Sequence, residues 1–98
     1  MPFVLIRHKV QDFNRWKEIY DSAVTQRQTY GEKFARVFHD ASDPNDLIIL
    51  AEFETHERAR RFFASDWLRE AMSKAGVQGP PQVQYLLEGK SLRRTAAD

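Results

Sequence analysis

No cysteine occurs anywhere in the chain, which excludes disulfides, thiolate metal sites and cysteine nucleophiles and is compatible with a reducing cytoplasm. An excess of one charge is also missing. Fifteen Lys and Arg stand against 14 Asp and Glu, a formal net charge of +1, without the basic surplus that nucleic-acid binding uses. No apolar run approaches the roughly 18 residues of a membrane span, and the opening MPFVLIRHK lacks the charged-then-apolar order of a signal peptide. Neither nucleic acid nor membrane is therefore expected as a partner, and the expected location is the cytoplasm. No glycine-rich phosphate loop appears, and His8, His39 and His56 show no close metal-ligand spacing, so no metal site is expected.

What is present is apolar and aromatic. The 98 residues are 42% hydrophobic and include seven Phe, three Tyr and two Trp. That is enough for the core of one domain, although a chain this short leaves much of its surface exposed unless a second copy covers it. The domain is expected over residues 1–90, with residues 91–98 as a tail that has little to anchor it.

Phe3 to Val24 reads as a strand feeding a helix. FVLIRHK is apolar on both faces, with Val4, Ile6 and His8 on one side and Phe3, Leu5 and Arg7 on the other, as a central strand requires. Asp12 is a candidate N-cap, Phe13, Trp16, Ile19, Tyr20, Ala23, Val24 and Tyr30 recur at helical spacing, and Gly31 suits the end of that helix. FARVFHD predicts a second strand and ASDPND a hairpin turn; DLIILAEFE predicts a further central strand. Thr55 caps a second helix that restarts at Ser65 and Asp66 and ends at Gly76. GVQGPP reads as a stiff loop and QVQYLLE as the last strand.

The resulting order, βαββαβ, with right-handed crossovers and both helices on one sheet face, is the ferredoxin-like arrangement, an α+β fold on a four-stranded antiparallel sheet. Its uncovered sheet face carries two or three apolar residues from each strand. A two-fold homodimer that buries sheet against sheet is the expected remedy.

Four side chains stand out as candidates for chemistry. His8, at the end of a central strand, could act as a base near neutral pH or be a hydrogen-bonded structural histidine. Glu52 alternates with Ile48 and Leu50, so its carboxylate meets an apolar sheet and calls for a cation such as Arg36 or His8; a structural ion pair or an exposed strand end is the alternative. Trp67 follows the Ser65 break, where its ring could cover a flat aromatic ligand or pack with Phe62, Phe63 and Leu68. Tyr85 could donate a phenolic hydrogen bond inside a barrel or pack at a dimer seam.

With RHKVQDFNRWK, DPNDLIILAEFE and ASDWLREAMSKAGV in view, the chain resembles the dimeric α/β-barrel superfamily, in particular small antibiotic-biosynthesis-monooxygenase-like proteins, over residues 3–88. The resemblance implies dimerisation into an α/β barrel and cofactor-free oxidation of polycyclic phenols to quinones in a cavity between sheet and helices, held by Asn, Trp and Arg side chains. No cofactor is then expected. Trp67 and Arg36 match, whereas Asn14 and Asn45 fall at a helix start and in a turn. The haem-degrading branch carries a first-strand Asn where this chain has His8, which puts that activity second. The expected protein is thus a homodimer with a hydrophobic pocket for a small aromatic ligand, in which His8 or Glu52 takes a proton, Arg36 stabilises the anion, and Trp67 and Tyr85 contact the ring. A non-enzymatic ligand-binding or assembly module is the alternative. Convergence of His8, Glu52 and Arg36 on one cavity of more than roughly 300 Å³ would separate the two.

Overall fold

The structure, a computed structural model, describes residues 2–89; the expected tail at 91–98 lies outside them. Strand β1 (Pro2–Val10) leads into helices α1 (Phe13–Ser22) and α2 (Val24–Thr29), then into the hairpin of β2 (Glu32–Asp40) and β3 (Asp43–Phe53). Helices α3 (His56–Phe63) and α4 (Asp66–Lys74) precede β4 (Val77–Leu87). The sheet order is β2-β3-β1-β4, and every neighbouring pair is antiparallel. This is the ferredoxin-like arrangement.

Alternation divides the sheet cleanly. Val4, Ile6, His8 and Val10 of β1 are buried, as are Leu47, Ile49, Ala51 and Phe53 of β3, and the register sets Val4 against Ala51, Ile6 against Ile49 and His8 against Leu47. These residues, with Trp16, Ala59 and Phe62 from the helices, form the core. The intervening residues, among them Phe3, Leu5, Ile48 and Leu50, are only partly buried, because no helix covers their side of the sheet.

The helix entries follow the capping chemistry expected. Asp12, Thr55 and Ser65 accept hydrogen bonds from the backbone N–H groups of Arg15, Arg58 and Leu68, satisfying donors that the first helical turn leaves free. The first helix is broken at Ala23, contrary to the single helix expected. Arg27 stabilises the break: its guanidinium donates to the Tyr20 carbonyl, which also accepts from the N–H of Ala23. Gly31 closes the unit at φ 99°, a left-handed conformation that a side chain would oppose.

Two expectations about loops are corrected. The β2–β3 turn is confined to Ala41 and Ser42, with Asp40 accepting from the N–H of Ser42, so Pro44 and Asn45 already belong to β3. GVQGPP is not a separate loop either. Val77 and Gln78 pair with Val10 and Lys9, and the strand then swells so that Gly79, Pro80 and Pro81 stand opposite His8 alone before regular pairing resumes at Gln82. The prolines have no N–H to give the ladder, and Gly79 adopts φ 73°, so a bulge is how this sequence stays in the sheet.

Candidate functional site

Between the sheet and its helices lies an apolar cavity of about 80 Å³. Ile6, Ile49 and Phe53 form part of its floor, Trp16 and Tyr20 come from α1, and Phe63 and Trp67 close it from α3 and α4. Its polar components are few, which makes each informative.

His8 is the first. The even parity of β1 turns it inward, where it is 9% exposed and meets the Trp16 ring edge-on at 5.9 Å. Neither Nδ1 nor Nε2 has a hydrogen-bond partner among the described residues. Burial pushes its pKa below the ordinary 6.5, because an imidazolium would forfeit hydration with no anion to compensate. At neutral pH the ring is therefore uncharged, with one nitrogen free to accept a proton and one N–H free to donate. An orphaned buried polar group of this kind is rare in native structures and calls for a ligand, a water or a function.

The second component is a cluster from α1, α2 and β2. Arg27 Nε lies 3.0 Å from Glu32 Oε1, both side chains only 10% exposed, and the guanidinium carbon stands 3.7 Å from the centre of the Tyr20 ring. Tyr20 in turn stacks on Trp16 at 4.7 Å, and its hydroxyl is buried without a partner among the described residues. Burial first, then the neighbouring Glu32 carboxylate, pushes the Tyr20 phenol up to about 12, so it remains a neutral donor. Glu32 is also pushed up by burial, against the opposing pull of Arg27. The register places this cluster toward Phe53, while His8 lies opposite Leu47. The six-residue step from Leu47 to Phe53 spans roughly 20 Å along the strand, and the Trp16 ring, 5.9 Å from that of His8 and 4.7 Å from that of Tyr20, links the two ends. One side of the cavity thus offers a neutral imidazole and the other a phenol beside a buried ion pair.

The structure separates residues that were expected to act together. Glu52 pairs across from Phe3 and Phe34, and Arg36 across from Leu50, which puts both on the uncovered face of the sheet, away from His8. The physical reason is parity: β3 sends its odd-numbered residues to the helices, so Glu52 must point the other way. Convergence of His8, Glu52 and Arg36 on one cavity is therefore not found. Trp67 does line the cavity and, at 38% exposed, stands at its rim beside Phe62. Tyr85 faces the helices but packs under α3, with the His56 ring edge-on at 5.6 Å and the Arg60 guanidinium 4.5 Å above it, outside the cavity wall. His56 Nε2 lies 3.1 and 2.9 Å from the carbonyl oxygens of Phe3 and Leu86, a donor tying α3 to β1 and β4.

Sequence reasoning overlooked Tyr20, Arg27 and Glu32 as a group. A signal was present, since Trp16, Tyr20, Ala23, Arg27 and Tyr30 follow helical spacing and an arginine within such a stripe has to find an anion. A second, polar recess of about 380 Å³ opens on the other sheet face beside the bulge, where Arg7 holds Asp46 at 3.0 Å. Among the described residues no group of three His, Asp or Glu side chains is placed to hold a metal, and no helix is long and apolar enough to cross a membrane.

Comparison with solved structures gives the fold a name. The cofactor-independent oxygenase SnoaB of Streptomyces nogalater superposes with a TM-score of 0.76 at 11% identity, over 95% of this chain and 97% of that one. An antibiotic biosynthesis monooxygenase-type protein of Bordetella bronchiseptica gives 0.75 at 18% identity, over 93% and 97%. A further antibiotic biosynthesis monooxygenase gives 0.71 at 13% identity, over 92% and 100%. No family model matches the sequence, and no curated protein does. The chain has an antibiotic-biosynthesis-monooxygenase-like fold.

Proposed function

We propose that this monooxygenase-like fold forms a homodimer in which each subunit binds a small aromatic substrate in its helix-side cavity and oxygenates it without a cofactor. The observation that carries the proposal is His8, a neutral imidazole whose two nitrogens have no partner among the described residues and face an apolar cavity. Its role is to take the proton of a phenol, leaving an electron-rich phenolate that reduces O2 directly. Conversion of the phenol to a quinone then places one oxygen atom on the ring carbon and releases the other as water, with the phenolic and the ring hydrogen. Trp67 covers the ring.

Cavity size bounds the substrate. At about 80 Å³ the space is near half of the ~150 Å³ that houses benzene in an engineered core cavity. Even a single ring requires the Trp67 rim to move, and a polycyclic phenol requires much more. The same observation favours the second reading, a non-enzymatic ligand-binding or assembly module with a nearly filled interior. A cysteine-free chain suits the reducing cytoplasm, the location we propose.

Oxygen uptake with a panel of one-ring phenols and hydroquinones, measured for the wild type and for His8→Gln, tests the enzymatic reading. Turnover that falls at least about a hundredfold in the variant, with its circular dichroism unchanged, supports it. Absence of uptake and of any ligand retained through native mass spectrometry assigns the chain to the module.

A further inference from the structure

Among the apolar side chains of the uncovered sheet face stand two charged groups, Glu52 and Arg36, without an ion-pair partner among the described residues. Glu52 is partly buried among the apolar side chains of that face, and its Oε2 is sealed from water without a donor among the described residues. Arg36 is exposed one strand away, makes no ion pair among the described residues, and leans over the Phe38 ring at 5.3 Å. Register explains why the two do not meet. Arg36 lies opposite Leu50 and Phe34 opposite Glu52, so the pair is diagonal, and the lean toward Phe38 carries the guanidinium the other way along β2. Farther along the face Arg7 holds Asp46, with Lys9 opposite Asp46 at the exposed end of β1. Around Glu52 and Arg36 stand Phe34 and Phe38, 41% and 45% exposed, with Phe3, Leu5, Ile48 and Leu50 beside them.

We propose that Glu52 of one copy pairs with the partner's Arg36 across this face, twice per dimer, and that these two ion pairs fix the angle at which the sheets meet. The pairing rests on the homodimer proposed above and adds what holds its register. A two-fold axis makes every contact reciprocal. A face on which an unpaired acid and an unpaired base sit among apolar side chains is therefore complementary to itself, whereas an all-apolar face could dock at many angles. Burial under the partner removes water from both groups, so each needs the other, whereas a mismatched docking leaves four unpaired charges in a dry interface. The occupant is a second copy of this chain, because the face carries both signs of charge beside exposed Phe34 and Phe38 and a two-fold axis offers each sign to the other.

Charge reversal with mixing decides the matter, read by size-exclusion chromatography with light scattering over a dilution series of the full chain. The wild type is expected at twice the 11.5 kDa chain mass. Glu52→Arg sets an arginine against the partner's Arg36 and Arg36→Glu a glutamate against the partner's Glu52, so each alone should dissociate at least about tenfold more readily. Mixed in equal amounts they should form a heterodimer with affinity close to that of the wild type. The neutral variant Glu52→Gln, which retains the shape of the side chain, should weaken the dimer without unfolding it and serves if a reversal fails to fold.

Wild-type affinity in both reversals, or in Glu52→Gln, overturns the pairing and leaves the dimer standing. Reversals that dissociate and are restored only when both are placed in one chain, not by mixing, overturn it in favour of a pair within the subunit. A wild type that stays at 11.5 kDa at micromolar concentration removes the dimer and the pairing together.

Discussion

One sheet presents two faces built from the same four strands, and they carry opposite kinds of unfinished business. Under the helices the unpaired groups are neutral, an imidazole and a phenol, and the charges that do occur, Arg27 and Glu32, are paired. On the uncovered side charged groups, Glu52 and Arg36 among them, have no ion-pair partner among the described residues, and two phenylalanines stand in the open. A neutral orphan can wait for a small molecule or a water, since its desolvation is modest. A charged orphan in apolar surroundings needs a counter-charge. The difference assigns the two faces different customers: a ligand inside, a protein surface outside.

Truncating one aromatic ring on each face should show the contrast most strongly. Phe53→Ala empties part of the core and should cost about 3–5 kcal/mol in urea unfolding, whereas Phe38→Ala should leave the folding of the subunit within about 1 kcal/mol and weaken self-association instead. Equal losses in the two variants would mean that both faces are core.

Breaking a pair tests the interior next. Arg27→Met strands Glu32 in a site where both side chains are 10% exposed, and should destabilise by about 2–4 kcal/mol. Adding Glu32→Gln should return part of that loss, because the uncompensated carboxylate is then gone. A double variant as unstable as the single one would locate the importance of Arg27 in its bond to the Tyr20 carbonyl at the α1–α2 break.

The pH response of the inner face is expected to be smaller and of known sign. The folded pKa of His8 lies below its ordinary 6.5, so the unfolded chain binds more protons between those two values and stability must fall as pH drops through that window. Glu32, raised by burial, acts in the opposite sense: its share of stability is present below its ordinary pKa and is lost as pH rises through the folded value. Comparing wild type with His8→Gln cancels the Glu32 contribution. The wild type should lose more stability than the variant between about pH 7 and pH 5, and parallel curves would show that the ring gains a partner in solution.

At the low end, Lys17→Ala removes an exposed i,i+4 pair with Asp21, both side chains 57% exposed. No change in stability resolvable from the wild type in urea unfolding is expected. A resolvable loss would show that the outer surface of α1 is itself covered by something.

Most of this contrast was legible in the residues, and the exceptions are physical. Strand positions, caps at Asp12, Thr55 and Ser65, and the uncovered apolar face all follow from alternation and spacing within single segments. Glu52 and His8 could each be assigned a face of their own strand. Whether those faces coincide depends on which residues of β1 and β3 stand opposite each other, and a shift of one position would reverse the answer. The bulge at Gly79 has the composition of an exit from the sheet, because proline and glycine usually end strands; here partners on β1 hold both sides of the interruption. Arg27 was readable from its place in the helical stripe. Its partner Glu32 was not, since that contact depends on how the chain turns at Gly31.

The two prolines of that bulge also bear on how the sheet ends. β4 is an outer strand, and an outer strand with free donors and acceptors invites a stranger to extend the ladder. At residues 80 and 81 the backbone can accept hydrogen bonds but cannot donate them, so an incoming chain would find this stretch mute. Growth of the sheet from the β4 margin is interrupted where the sequence is stiffest, and at the β2 margin the exposed Lys33, Arg36 and Asp40 supply charge against strand addition.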